Sequence, residues 1–188
     1  MIGTLLADFH RGTIGSSLPQ PIASAIALHR AVDGHTDRHP AIARARSLFA
    51  PPHRRYSGVA LDLYFDHCLA RDWSRRAPGI SFDAFVAKTY DHLQSGIDTG
   101  DLRADTQRFA QAMIEGDWLR DYVHVDGVER ALGRLNHAIR RRFAREVDLR
   151  PLASELRRLH PALDDAFDVL FPDLVAFVAG SAALGGPR

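Results

Sequence analysis

The stretch "LDLYFDHCLARDW", residues 61–73, gives the first indication of the fold class. Its apolar and polar side chains recur with the period of an α-helix, which turns by about 100° per residue. On that helical wheel Leu69 and Trp73 mark an apolar direction, and Asp62 and Asp66 point the same way. We therefore predict a helix with two carboxylates on its buried face, and these carboxylates need partners.

The same periodicity recurs along nearly the whole chain, and no segment alternates as a strand would. Proline pairs such as Pro51–Pro52 mark predicted helix ends. One long helix is predicted from about residue 56 to residue 75, and the segment "SGIDTGD" (95–101) is predicted to be a loop. The sequence thus indicates an all-α protein, a single helical bundle domain over residues 1–180, with a disordered tail at 181–188.

The composition limits the class of protein. The 188 residues carry a net charge of +1, with a single cysteine, Cys68. No apolar run approaches the roughly 20 residues that cross a bilayer, and the N-terminus lacks the features of a signal peptide. We therefore expect a cytoplasmic protein without a membrane association. A lone cysteine excludes an internal disulfide and a thiolate zinc cluster, and a buried, inert thiol is expected.

A second predicted helix repeats the pattern of acidic groups on an apolar side. His29, Asp33 and Asp37 follow one another at intervals of four residues, so they rise along one helix face. The same face carries Ile22 and Ile26. Two helices are therefore predicted to present acidic groups, one of them with a histidine, from faces that should be buried.

Two explanations account for these carboxylates. An ionised carboxylate costs several kcal/mol to bury alone, so it must be protonated, paired or metal-bound. Ion pairing with arginine is the better explanation for one such aspartate, and Arg11, Arg30 and Arg71 are available. For two helices together a divalent cation is favoured, and oxygen ligands with an imidazole suit Mn²⁺ or Mg²⁺. Such a cation favours phosphoester hydrolysis. The sequence has neither a P-loop nor a GxSxG motif.

Three motifs resemble those of a known family. The segments "LLADFHRG" (5–12), "IALHRAVDGHTDRHP" (26–40) and "LDLYFDHCLARDW" (61–73) are similar in order and spacing to the acyl carrier protein phosphodiesterases. A looser likeness continues through residues 116–142. The resemblance implies an all-helical, HD-domain-like enzyme that depends on a divalent metal, with manganese favoured. It also implies the activity, removal of 4′-phosphopantetheine from holo-acyl carrier protein.

The resemblance also implies a set of site residues. The predicted metal ligands are His29, Asp33 and Asp62, with help from Asp8 or Asp66. The predicted catalytic residues are Asp8, Asp66 and His67, and Asp66, where it does not bind the metal, is the candidate general base. Asp8 follows from the resemblance alone. His67 lies well away from Asp62 on the wheel and is the weaker ligand candidate. Family members begin with a further segment of the type MNxLAHxxLA, which this sequence lacks; if its histidine is a ligand, we expect an incomplete metal site.

The resemblance implies an acidic protein partner, since acyl carrier proteins are small and strongly acidic. Residues 134–158 hold eight arginines against three acidic residues, and a second cluster lies at residues 44–55. No nucleic-acid recognition motif accompanies the charge, so nucleic acid is not expected as a partner. Two other functions stay open: an HD-like hydrolase of a nucleotide or small phosphoester, and a non-catalytic binder of the carrier protein. The candidate docking residues are Arg44, Arg46, Arg54, Arg55, Arg140, Arg141, Arg142 and Arg145.

Overall fold

The computed structural model of the chain describes residues 20–100, 102–143 and 148–184. Within these ranges the backbone forms helices joined by short turns, and no strand occurs. The predicted all-α class is therefore confirmed. None of the described helices is both long and apolar enough to cross a membrane.

Ten helices occur in the described ranges. In chain order they are α1 (Gln20–Arg38), α2 (Pro40–Ser47), α3 (Pro51–Arg54), α4 (Ser57–Arg71), α5 (Trp73–Arg76), α6 (Phe82–Asp98), α7 (Ala104–Glu115), α8 (Trp118–Asp121), α9 (Val125–Phe143) and α10 (Pro151–Leu184).

Local chemistry explains the start of α2 and of α3. The ring Nδ1 of His39 accepts a hydrogen bond from the backbone N–H of Ala41 at 3.1 Å, which satisfies one of the free donors at the start of α2. Pro40 occupies the first turn of the same helix, where its missing N–H costs nothing. Pro51 does the same for α3. The Pro51–Pro52 pair therefore begins a short helix, where the sequence predicted only a helix end.

Two predicted boundaries are wrong. The long helix predicted over residues 56–75 is interrupted at Asp72, whose backbone (φ −101°, ψ 20°) leaves the helical region between α4 and α5. The loop predicted at residues 95–101 is helical as far as Asp98, and the chain turns at Gly100, which has a φ of +73° that favours glycine. The glycine and polar residues of this segment mark the point where α6 ends, and the segment before it stays helical because the apolar period continues through Ile97.

The contacts between Cα atoms group the chain into two compact units, each made of separated stretches of sequence. The first unit contains the described residues within 20–38, 83–116 and 172–184, and the second contains those within 39–82 and 117–171. The single domain over residues 1–180 stays a prediction. The predicted tail overlaps α10, which continues to Leu184.

Each unit has its own apolar core. In the first unit Leu93 of α6 packs with Leu102 and with Ala110 of α7. In the second unit α4 packs against α9 and α2, and Tyr64 and Leu132 are among its fully buried side chains. The second core continues into α10, where every third or fourth residue is buried; these residues are Leu152, Leu156, Leu159, Leu163, Phe167 and Leu170.

A close backbone approach joins α8 to α9 in the second unit. A Cβ atom added at Gly127 would collide with the backbone carbonyl group of Asp121. Asp117, at the start of α8, has a left-handed backbone (φ 47°), and its carboxylate pairs with Arg120 at 3.0 Å. The short helix α8 is thus held tightly against the first turn of α9.

Candidate active site

In the first unit, α1 presents a histidine and an aspartate as neighbours. The Nδ1 atom of His29 lies 3.0 Å from an Oδ atom of Asp33, one helical turn later. On this face Ile26 is fully buried and His29 is half-buried, while Asp33 and Asp37 are exposed. The side chain of Ile22, predicted for the same face, lies outside the described part of the chain. The predicted buried acidic face is therefore only partly correct: the apolar end of the face is buried, and its carboxylates are open to solvent.

The C-terminal part of α10 contacts α1 close to this pair. The Nε2 atom of His35 lies 2.6 Å from an Oδ atom of Asp173, and the His35 ring stacks on the Phe177 ring with their centroids 4.3 Å apart. Because His35 lies two residues after Asp33, these contacts fix the turn of α1 that carries the His29–Asp33 pair.

In the second unit, the prediction that α4 buries Asp62 and Asp66 is wrong. Both side chains are exposed, and the buried side of α4 carries Leu61, Tyr64 and Cys68 instead. The helix has apolar residues on both sides, so the wheel alone could not decide between them. The large rings of Tyr64 and Phe65 are buried in the core together with Leu61.

His67 is separated from its neighbour Asp66 by the turn of the helix and is 4 % exposed. Its Nδ1 atom lies 2.8 Å from the backbone carbonyl oxygen of Tyr122. A carbonyl only accepts, so Nδ1 carries the proton and Nε2 keeps its lone pair. Burial lowers the pKa of His67 below its ordinary value, against an opposing effect of the Tyr122 hydrogen bond. The ring is therefore a neutral imidazole with one nitrogen free to accept.

Tyr122 is a residue near the predicted catalytic pair that the sequence did not single out. Burial raises its pKa, and the negative charge of Asp66 raises it further, which places the phenol in the electrostatic field of that carboxylate. The nearby guanidinium of Arg134 lies over the Trp118 ring, 4.3 Å from its centroid, and pairs with Asp121 at 3.6 Å. No spacing in the sequence indicates that Tyr122 lies near Asp66, because the two residues are more than 50 positions apart.

Asp164, on α10, is a half-buried carboxylate that bonds to buried side chains of the second unit. Its Oδ1 atom accepts hydrogen bonds from the Tyr64 hydroxyl at 2.9 Å and the Cys68 thiol at 3.4 Å. Arg71 pairs with Asp164 at 3.1 Å and with Asp72 at 3.0 Å. The prediction of a buried thiol at Cys68 is confirmed, and burial raises its pKa. Arg71 is one of the arginines considered as partners for the α4 carboxylates, and it pairs with Asp72 and Asp164 instead.

The donor chemistry of α1 fits a divalent metal ion. An imidazole and a carboxylate one turn apart on a helix can both reach one cation, and carboxylate oxygens suit Mn²⁺ or Mg²⁺. The third proposed ligand, Asp62, belongs to the second unit, and Asp8 lies outside the described residues. Among the described residues, no group of three or more histidine, cysteine, aspartate or glutamate side chains could hold a metal ion together.

The candidate docking arginines differ in their surroundings. Arg44, Arg54 and Arg55 are exposed, whereas Arg46 is half-buried with its guanidinium beside Gly58 of α4. Arg145 lies outside the described residues. The backbone of Arg140, Arg141 and Arg142 belongs to α9.

Comparison with known proteins identifies relatives over nearly the whole chain. The family model described as acyl carrier protein phosphodiesterase matches residues 1–174. An acyl carrier protein phosphodiesterase of Salmonella dublin is 30% identical over 180 residues, which are 96% of this chain and 90% of that protein. One of Enterobacter sp. strain 638 is 29% identical over 173 residues, which are 92% and 86% of the two chains. No solved structure matches the chain.

Proposed function

The chain belongs to the acyl carrier protein phosphodiesterase family and is thus a hydrolase, and we propose that its substrate is holo-acyl carrier protein. It would hydrolyse the phosphodiester bond that joins 4′-phosphopantetheine to a serine of the carrier, leaving that serine free. The observation that carries this proposal is the family match over residues 1–174, which includes every proposed metal and catalytic residue.

We propose that His29, Asp33 and Asp62 hold a divalent metal ion, Mn²⁺ or Mg²⁺. The 3.0 Å contact between His29 and Asp33 supports this, because it places a nitrogen and an oxygen donor side by side on α1. A metal ion bound there would neutralise phosphate charge and lower the pKa of a bound water.

The remaining chemistry falls to the chain itself. Asp66 is exposed on α4, so its carboxylate can reach a water molecule and accept its proton as a general base. His67 is held in one tautomer by the Tyr122 carbonyl, which orients its Nε2 lone pair. Asp8 is the third proposed catalytic residue, on the strength of the resemblance of its motif. The HD-like character of the fold and a cytoplasmic location belong to the same proposal.

The test is the mass of the substrate. Holo-acyl carrier protein incubated with the full chain and Mn²⁺ should lose the mass of one phosphopantetheine, and a chelator should prevent the loss. An unchanged carrier mass in the presence of Mn²⁺ would refute the proposal. Turnover of a small phosphodiester without any carrier would instead favour an HD-like hydrolase of small phosphoesters, and carrier binding without turnover would favour a binding module.

A further inference from the structure

The arginines of the second unit divide by their partners. Nine of those with described side chains pair with carboxylates: Arg71, Arg75, Arg76, Arg120, Arg130, Arg134, Arg150, Arg157 and Arg158. Arg44, Arg54 and Arg55 have no carboxylate partner among the described residues. The local charge excess predicted for residues 134–158 is thus compensated at Arg134, Arg150, Arg157 and Arg158, and uncompensated charge lies at α2 and α3.

The contacts of Arg54 and Arg55 leave their positive charge available. Arg54 donates to the backbone carbonyl oxygens of Ser47 at 3.1 Å and Phe49 at 3.2 Å, which closes the corner between α2 and α3. The guanidinium of Arg55 lies over the Tyr56 ring, 4.6 Å from its centroid. Neither contact adds a negative charge.

A carboxylate also reaches this corner. Glu155 accepts a hydrogen bond from the backbone N–H of Ala50 at 3.0 Å, and Arg158 pairs with Glu155 at 2.8 Å. Because Arg158 offsets the charge of Glu155, the charges of Arg54 and Arg55 leave the corner with a positive potential.

An apolar groove lies beside this corner, between α2 and α10. Alanine side chains form its floor, and Leu48 and Val169, each roughly half exposed, form its rim. Arg44 lines the α2 side and Asp165 the α10 side. The groove encloses about 160 Å³, enough for the end of one aliphatic side chain.

We propose that Arg44, Arg54, Arg55 and this groove form the docking surface for an acidic helix of the carrier protein. The inference rests on the proposed function, which supplies an acidic protein as the partner. Charge complementarity favours this occupant, because acidic side chains on a helix can meet the α2–α3 corner while an apolar neighbour enters the groove. Arg150 and Arg157, already paired within the chain, lie outside the surface.

The test compares two double variants with the same loss of charge. Arg44→Gln with Arg55→Gln should weaken binding of apo-acyl carrier protein, measured by titration calorimetry, by about tenfold, or about 1.4 kcal/mol. Arg150→Gln with Arg157→Gln, which lowers the net charge equally, should change the Kd by less than about twofold, as expected for exposed pairs. Arg54 is left unchanged because it closes the corner. With holo-carrier protein as substrate, the corner variant should show its loss in KM.

A third variant tests the groove. Val169→Glu places a negative charge on an exposed rim position and should weaken carrier binding by a similar factor. Equal binding by the two arginine double variants, or unchanged binding by Val169→Glu, would overturn the docking proposal. These outcomes are separate from the proposed function, which fails only if the wild-type chain leaves the holo-carrier mass unchanged.

Discussion

Replacing Asp164 by alanine tests the hydrogen-bond centre between α4 and α10. Of its acceptors in the described part of the chain, the Tyr64 hydroxyl, in a side chain that is 0 % exposed, would keep only the His160 carbonyl oxygen at 3.4 Å. Arg71 would keep Asp72, so its loss is small. A buried donor that loses a charged acceptor, with the weakened Arg71 pair added, costs about 2–4 kcal/mol in the free energy of unfolding. In a chain of this length that lowers the melting temperature by roughly 4–16 °C.

The measurement is chemical denaturation followed by circular dichroism at neutral pH. Asp126→Ala is the matched control, since it removes an exposed aspartate whose partner Arg157 also pairs with Glu129; it should cost no more than about 1 kcal/mol. Tyr64→Phe, alone and combined with Asp164→Ala, should give a coupling energy of about 1 kcal/mol or more. The reasoning is refuted if Asp164→Ala is no more destabilising than the control, or if the two substitutions are additive.

Three further predictions concern stability and activity. Gly127→Ala should destabilise the chain by about 3 kcal/mol in denaturation, because its Cβ meets the Asp121 backbone, whereas Gly133→Ala on the same helix has open space and should stabilise it by about 0.5–1 kcal/mol; equal effects would contradict this. Hydrogen bonds from Arg71 lower the pKa of Asp72 from 3.8 to about 2. The ionised Asp72 therefore stabilises the fold above pH 3.8, and this stabilisation is lost as the pH falls towards 2. Asp72→Asn should remove about 1 kcal/mol of the acid dependence of the free energy of unfolding, allowing for solvent screening. Asp62→Asn should lower the rate of carrier hydrolysis at least about a hundredfold while binding of the apo-carrier persists. Retained turnover would exclude Asp62 as a residue of the active site.

The sequence predicts the helices well and the direction of their faces less well. On α4 both sides carry apolar residues, and only the packing of the helix against α9 and α2 decides that the side with Leu61 and Tyr64 is buried. The rule that a carboxylate close to an apolar stripe needs partners is sound, but it applies to Asp164, which is half-buried beside the buried stripe of α10 that carries Leu163 and Phe167. That signal is visible in the sequence.

Other features depend on contacts between distant segments and have no local signal. The hydrogen bond from His67 to the Tyr122 carbonyl joins residues 55 positions apart, and neither residue's neighbours indicate it. The pairing of arginines is similar. Arg157 looks like free charge in the sequence, yet it meets Asp126 and Glu129 on α9. Composition gives the number of arginines, but only the fold decides which of them keep an uncompensated charge.

The interleaving of the two units has a consequence for synthesis of the chain. The first unit includes α1 and is completed by residues from 172 onward, so the 133 residues 39–171 lie between its first and last described segments. At about 5–20 residues per second the ribosome needs roughly 7–27 s to bridge that interval. Helices form in about a microsecond. During those seconds α1, which carries His29 and Asp33, lacks the contacts of His35 with Asp173 and Phe177, because that segment has not been synthesised. Any continuous fragment that contains one whole unit therefore also contains residues of the other.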